Sequence, residues 1–109
     1  MAKAVTYTLV ATGTTVSEIV ATAANDGVGV SIPNSLDLAV FVQGSWDQTD
    51  ANFARLQDPF NGGDFSVNSN SVHIAADLTQ IAGTFPYIRI ETGAATTLPM
   101  TFAVIENKR

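Results

Sequence analysis

The residues of this chain that could do chemistry are one histidine, a run of aspartates, two mid-chain arginines and a set of aromatics. His73 is the single histidine and sits between Val72 and Ile74. In an alternating strand it faces away from both, which makes it a solvent-facing residue. Zinc ligation or general-base work needs partners of matching spacing, and no second histidine or cysteine accompanies it. Ser45 follows Gly44, but Trp46 and Asp47 come next instead of the second glycine of a nucleophile elbow. No Ser–His–Asp constellation is expected, and the chain reads as a non-enzyme with no catalytic residue and no cofactor. Asp47, Asp50, Asp58 and Asp64 crowd the middle loops. Asp47-x-x-Asp50-x-Asn52 offers hard oxygen ligands that could suit calcium, yet it lacks the glycine and closing glutamate of an EF-hand loop. The reading adopted is turn formation, with no metal. A carboxylate pair for glycoside hydrolysis is set aside because the domain is small for such an enzyme. Trp46, Phe53, Phe60 and Tyr87 could build a sugar platform or simply pack. Arg55 and Arg89 are each expected to pair with a carboxylate. Arg89 would meet Glu91 on the same face, or reach across to another strand.

The charge pattern narrows the partners. The chain of 109 residues carries a net −5, and only 14% of it is charged against roughly 25% in an average protein. Between Ala4 and Asn107 ten carboxylates face two cations, and Lys3, Lys108 and Arg109 lie at the ends. A basic nucleic-acid face and a polybasic membrane anchor are therefore excluded. Without cysteine there is no disulfide or thiolate chemistry. No run approaches the ~18 apolar residues of a membrane span. Lys3 followed by an apolar stretch resembles a secretory signal. Thr12, Thr14, Thr15, Ser17 and Glu18 interrupt it, and the segment reads as a strand-forming N-terminus.

The elements that must position these residues are strands. Apolar residues recur with period two, and Thr, Val and Ile outweigh the helix formers. Val5–Val10 alternates, with Tyr7 and Leu9 on one face. Val16–Val20, Val28–Ile32, Asn52–Asp58, Phe65/Val67, Val72/Ile74, Tyr87–Glu91 and Leu98–Ile105 follow. Leu38–Val42 is apolar on both sides and reads as a central, doubly buried strand. Pro33 and Pro99 mark strand ends. Asp77 with Gln80, and Leu78 with Ile81, predict one helical turn over 77–82. The sum is a single all-β domain over 1–109, an antiparallel sandwich or jelly roll of about eight or nine short strands.

Val30-Ser31-Ile32-Pro33, Leu38–Asp47 with its Gln43-Gly44-Ser45-Trp46-Asp47 turn, and Phe53-Ala54-Arg55-Leu56-Gln57-Asp58 resemble small virion proteins of tailed bacteriophages. The stretch Phe85-Pro86-Tyr87-Ile88-Arg89-Ile90-Glu91-Thr92-Gly93 matches that group's Tyr-Ile-Arg strand and following turn. The resemblance covers roughly Val28 to Gly93. It departs at Asn34–Asp37, where the group carries a tryptophan, and at Gln48, where it carries a glycine. The same turn and strand also look like galactose-binding jelly rolls. What the resemblance implies is a structural virion component, made in the host cytoplasm and placed on the outer capsid surface. It would be a capsid decoration (cement) protein whose partner is the major capsid protein, acting as a homo-oligomer, with a trimer favoured. The alternative it implies is a carbohydrate-binding or minor tail or fibre-associated module used in host adsorption.

Two features of the residues themselves favour assembly. Exposed edge strands are commonly guarded by lysine, which is nearly absent here. Interface cores are also depleted of charge. Candidate capsid-contact arms are 1–3 and 106–109, with Lys3, Lys108 and Arg109. A candidate ligand loop holds Trp46, Asp47, Asp50 and Phe60.

Overall fold

The structure, a computed structural model, describes residues 2–22, 25–33, 37–68, 73–79 and 85–108; for 2, 3, 25, 26, 107 and 108 it describes the backbone alone. Nine strands run through the described residues: β1 (Ala2–Val10), β2 (Val20–Ala21), β3 (Asn25–Ile32), β4 (Ala39–Ser45), β5 (Ala54–Arg55), β6 (Ser66–Asn68), β7 (Ile74–Asp77), β8 (Tyr87–Thr92) and β9 (Met100–Lys108). A 3-10 turn at Asp50–Asn52 precedes β5. Every pairing is antiparallel. Sheet one has the order β1-β9-β3-β7, and sheet two the order β2-β8-β4-β5, with β6 also on β4. The first strand pairs with the last, the second with the last but one, and the chain crosses between sheets at nearly every connection. That is the topology of a jelly roll. The extra strand β6 and the short β5 share one edge of β4, on Ala39–Phe41 and Gln43–Gly44 respectively.

Period-two alternation explains the layering. In β9, Met100, Phe102, Val104 and Glu106 point inward and are buried, while Thr101, Ala103 and Ile105 point out. Val28, Val30 and Ile32 of β3 join them from sheet one. Val40, Val42, Ile88, Ile90 and Val20 close the core from sheet two. Each such side chain contributes about 1.5–3 kcal/mol by leaving water. Glu106 is the exception: it is 1% exposed, and its Oε2 has no hydrogen-bond partner.

Several expectations need correction. The strand expected over Val16–Val20 is reduced to a single bridge at Val16 and the two residues of β2. Ser17 is the cause. Its hydroxyl accepts the Ile90 amide at 2.9 Å, where a regular ladder would use a backbone carbonyl. Leu38–Val42 is not buried on both sides: Val40 and Val42 are buried, but Phe41 on the outer side is only half-buried. At the expected helical turn, Asp77 ends β7 and the helical assignment begins at Thr79, two residues later than the reading placed it. Asp77 Oδ1 still accepts Thr79 N at 3.0 Å, the contact of an N-cap. Gln80, Ile81 and Ala82 lie outside the described residues. The terminal segments are not separate arms. Ala2 and Lys3 pair with Lys108 and Asn107 inside sheet one, and Glu106 is buried in β9. Pairing both ends of the chain satisfies backbone groups that free arms would leave to water. Arg109 lies outside the described residues.

The outer face of sheet one is apolar along β1. Val5, Tyr7 and Leu9 are 51%, 72% and 42% exposed. The registers place Tyr7, Ala103, Ser31 and Ala75 on one rung, and Val5, Ile105, Gly29 and Asp77 on another. Large residues thus stand on β1 and small ones on β3 and β7.

Candidate functional site

The outer face of sheet two gathers both mid-chain arginines. β5, β4 and β8 bring Arg55, Gln43 and Arg89 onto one rung, and Phe41 faces Glu91 on a neighbouring one. The Arg55 guanidinium lies 3.8 Å above the Phe41 ring. It crosses the ring to donate to both oxygens of Glu91, at 2.9 and 2.7 Å, and to Asp64 at 3.1 Å. This fork geometry is what arginine, and not lysine, supplies. Gln43 links the two arginines: its amide nitrogen donates to Glu91 at 2.9 Å and its oxygen accepts from Arg89 Nε. Arg89 also donates to Asp50 and lies 4.5 Å over Phe53. The expected Arg89–Glu91 pair is therefore exchanged. Glu91 belongs to Arg55, and Arg89, itself 9% exposed, reaches across to Asp50.

These bonds set the local electrostatics. Arg55 holds the Glu91 carboxyl below the usual carboxylate range, with Gln43 assisting. Gln57 and then Arg55 hold Asp64 low. In the turn after β5, the amides of Phe60 and Asn61 lower Asp58. That turn closes with Gly62 and Gly63 at φ +73°, a left-handed backbone that β-carbon-bearing residues rarely adopt.

The candidate ligand loop divides into parts that do not converge. Asp47 is a turn anchor. Its carboxylate accepts from Thr49 N at 3.0 Å and from Asn52 Nδ2 at 2.9 Å, so its lone pairs are used locally. Asp50 is tied to Arg89. Phe60 is 79% exposed at the tip of the Asp58 turn. Phe53 lies beneath Arg89, away from any shared aromatic platform. Among the described residues no group of three potential metal-ligating side chains forms. Trp46, 69% exposed, borders a groove of about 440 Å³ with Asn52, Arg55, Gln57, Pro59 and Phe85. Gly44 forms its floor: a β-carbon there would stand 2.8 Å from Leu56 Cδ2 and 3.0 Å from Phe85 Cγ. Sequence reasoning missed Asn52, Gln57 and Phe85 as groove residues. It also missed the hydrogen bond between Ser31 Oγ and His73 Nε2, which joins β3 to the residue before β7. His73 is exposed, as its alternation with Ile74 requires.

Fold and surfaces together define a jelly-roll β-sandwich with a locked polar face, an aromatic groove and an uncovered apolar face. No protein-family model and no curated protein sequence matches the chain. Among solved structures it is similar to the crystal structure of the SPBc2 prophage-derived protein YomS. The TM-score is 0.56 at 16% identity, over 97% of this chain and 95% of that one. The likeness is one of fold.

Proposed function

We propose that the chain is a non-enzymatic structural component of a bacteriophage particle. Within that class it acts as a capsid decoration protein, binding the outer shell as a homo-oligomer and clamping neighbouring major capsid subunits. The observation that carries this reading is the end-to-end jelly-roll likeness to a prophage-derived protein. Jelly rolls recur in viral capsid and lectin domains, and the fold fits the role. The surface supports it. The polar groups on the outer face of sheet two are hydrogen-bonded to one another. Lys3 and Lys108 stand on adjacent rungs at one end of the β1–β9 pair. That end of the pair is the proposed capsid contact, with Arg109 following it in sequence. The test is to add purified protein to shells that lack it and sediment them. Saturable binding at a fixed ratio to capsid subunits is expected, weakened when Lys3, Lys108 and Arg109 are neutralised. Protein that stays in the supernatant contradicts the role.

The second reading is a carbohydrate-binding module for host adsorption. The Trp46 groove favours it, because an exposed indole beside the Asn52 and Gln57 amides suits the apolar face and hydroxyls of a sugar. Retention on a glycan array, lost in Trp46→Ala, would favour this reading over shell binding.

A further inference from the structure

We infer that the outer face of sheet one is a self-complementary interface that seats a second copy of this chain face to face, about a twofold axis parallel to the strands. Such an axis reverses the order of strands across the face and keeps each rung at its own level. It sets β1 of one copy over β7 of the other, and β9 over β3. The rungs then match large against small. Tyr7 of one copy meets Ala75 and Ser31 of the other, and Val5 meets Gly29 and Asp77.

Shape is the first support. Gly27, Gly29, Ala75, Asp77, Thr79 and Ile105 line a shallow trough of about 370 Å³ on the β3–β7 side. Tyr7, 72% exposed on the β1 side, is the knob that fits it. A twofold interface is isologous, so one knob and one trough on a single face fill each other twice.

Charge is the second. Two copies of net −5 repel unless they meet where carboxylates are scarce. Asp77 is the one carboxylate among the described side chains of this face, and its Oδ1 already accepts from Thr79 N and Oγ1. It meets β1 of the second copy, a strand that carries no carboxylate. The Ser31 hydroxyl is bonded to His73 within its own chain, so covering it strands no polar group.

This deepens the homo-oligomer part of the reading above, and it replaces the threefold assembly implied by the sequence resemblance with a twofold one. The purified full-length chain tests it without any shell, so its failure is separate from failure of shell binding. Sedimentation equilibrium over a concentration series should give twice the 11.4 kDa chain mass. Tyr7→Asp and Ala75→Arg should each return the mass to one chain while leaving the circular dichroism spectrum unchanged. The chain has no cysteine. Mixed Tyr7→Cys and Ala75→Cys proteins should therefore be joined to each other by a short bismaleimide that spans the roughly 10 Å between packed sheets, and neither should be joined to itself. A monomeric wild type overturns the inference, and loss of shell binding in Tyr7→Asp would then assign the face to the capsid. A trimer, a dimer indifferent to both substitutions, or self-cross-linking of Tyr7→Cys overturns it equally.

Discussion

Tyr7 and Ala75 stand on one rung of the four-stranded sheet, joined through Ala103 and Ser31. The largest outward side chain of β1 is thus level with the smallest of β7. A sheet facing only water has no reason to sort size in this way. The exposed Tyr7 and Leu9 on this outer face fit the proposed contact with a second copy.

If that face is shared between copies, thermal stability must depend on concentration, because only the folded chain can pair. We expect the melting temperature to climb as protein concentration rises, and to stay flat in Ala75→Arg. Differential scanning calorimetry across a dilution series checks this. A wild type with one melting temperature at every concentration would contradict it.

Acid should unfold the chain through its carboxylates. Glu91, Asp64, Asp58 and Asp77 are all held below the usual carboxylate range. A depressed folded value means the stabilisation is complete above the unfolded value of about 4 and is lost as pH falls through the folded one. Urea midpoints should therefore hold from neutrality to about pH 5 and drop steadily below pH 4. Arg55→Met removes the partner of Glu91 and Asp64, so its acid drop should be shallower. Asp58 and Asp77, bonded to backbone and hydroxyl groups, would remain. Parallel acid slopes for wild type and variant would refute the assignment.

Glu106 invites the opposite experiment. Its buried Oε2 lacks a partner, and an unsatisfied buried polar group costs about 1–3 kcal/mol. Glu106→Leu keeps most of the volume and removes that cost. We expect it to be more stable than wild type, by up to about 3 kcal/mol in urea unfolding. A less stable variant would mean that the carboxylate is compensated.

Gly44→Ala probes the groove. The added methyl would overlap Leu56 and press on Phe85, and overpacking of this kind costs about 1–3 kcal/mol. Trp46 is the only tryptophan and borders the same groove, so its fluorescence maximum should shift in the variant. An unshifted spectrum with unchanged stability would show that the floor yields freely.

The strands were legible because alternation in β3, β8 and β9 is nearly uninterrupted, and a period of two admits one element type. Where local pattern and long-range pairing disagreed, the reading failed. Val16–Val20 alternates well enough, but Ser17 offers its hydroxyl to Ile90, seventy-three residues away in sequence. The exchange of carboxylates between Arg55 and Arg89 was equally hidden. It follows from β5 and β8 lying on opposite sides of β4, which no local spacing reveals. Trp46, which borders the groove, stands out by residue type alone. Asn52, Gln57 and Phe85 were not, because they join it only when β5 folds back onto β4. The size sorting between β1 and β7 likewise exists only once four strands separated in sequence are aligned.

The most direct measurement of the proposed role is a density map of phage particles assembled with this chain. The account predicts the jelly roll at repeating positions on the outer shell, bridging neighbouring capsid subunits. A particle that lacks it, or that carries it only at the tail, would contradict the capsid decoration role.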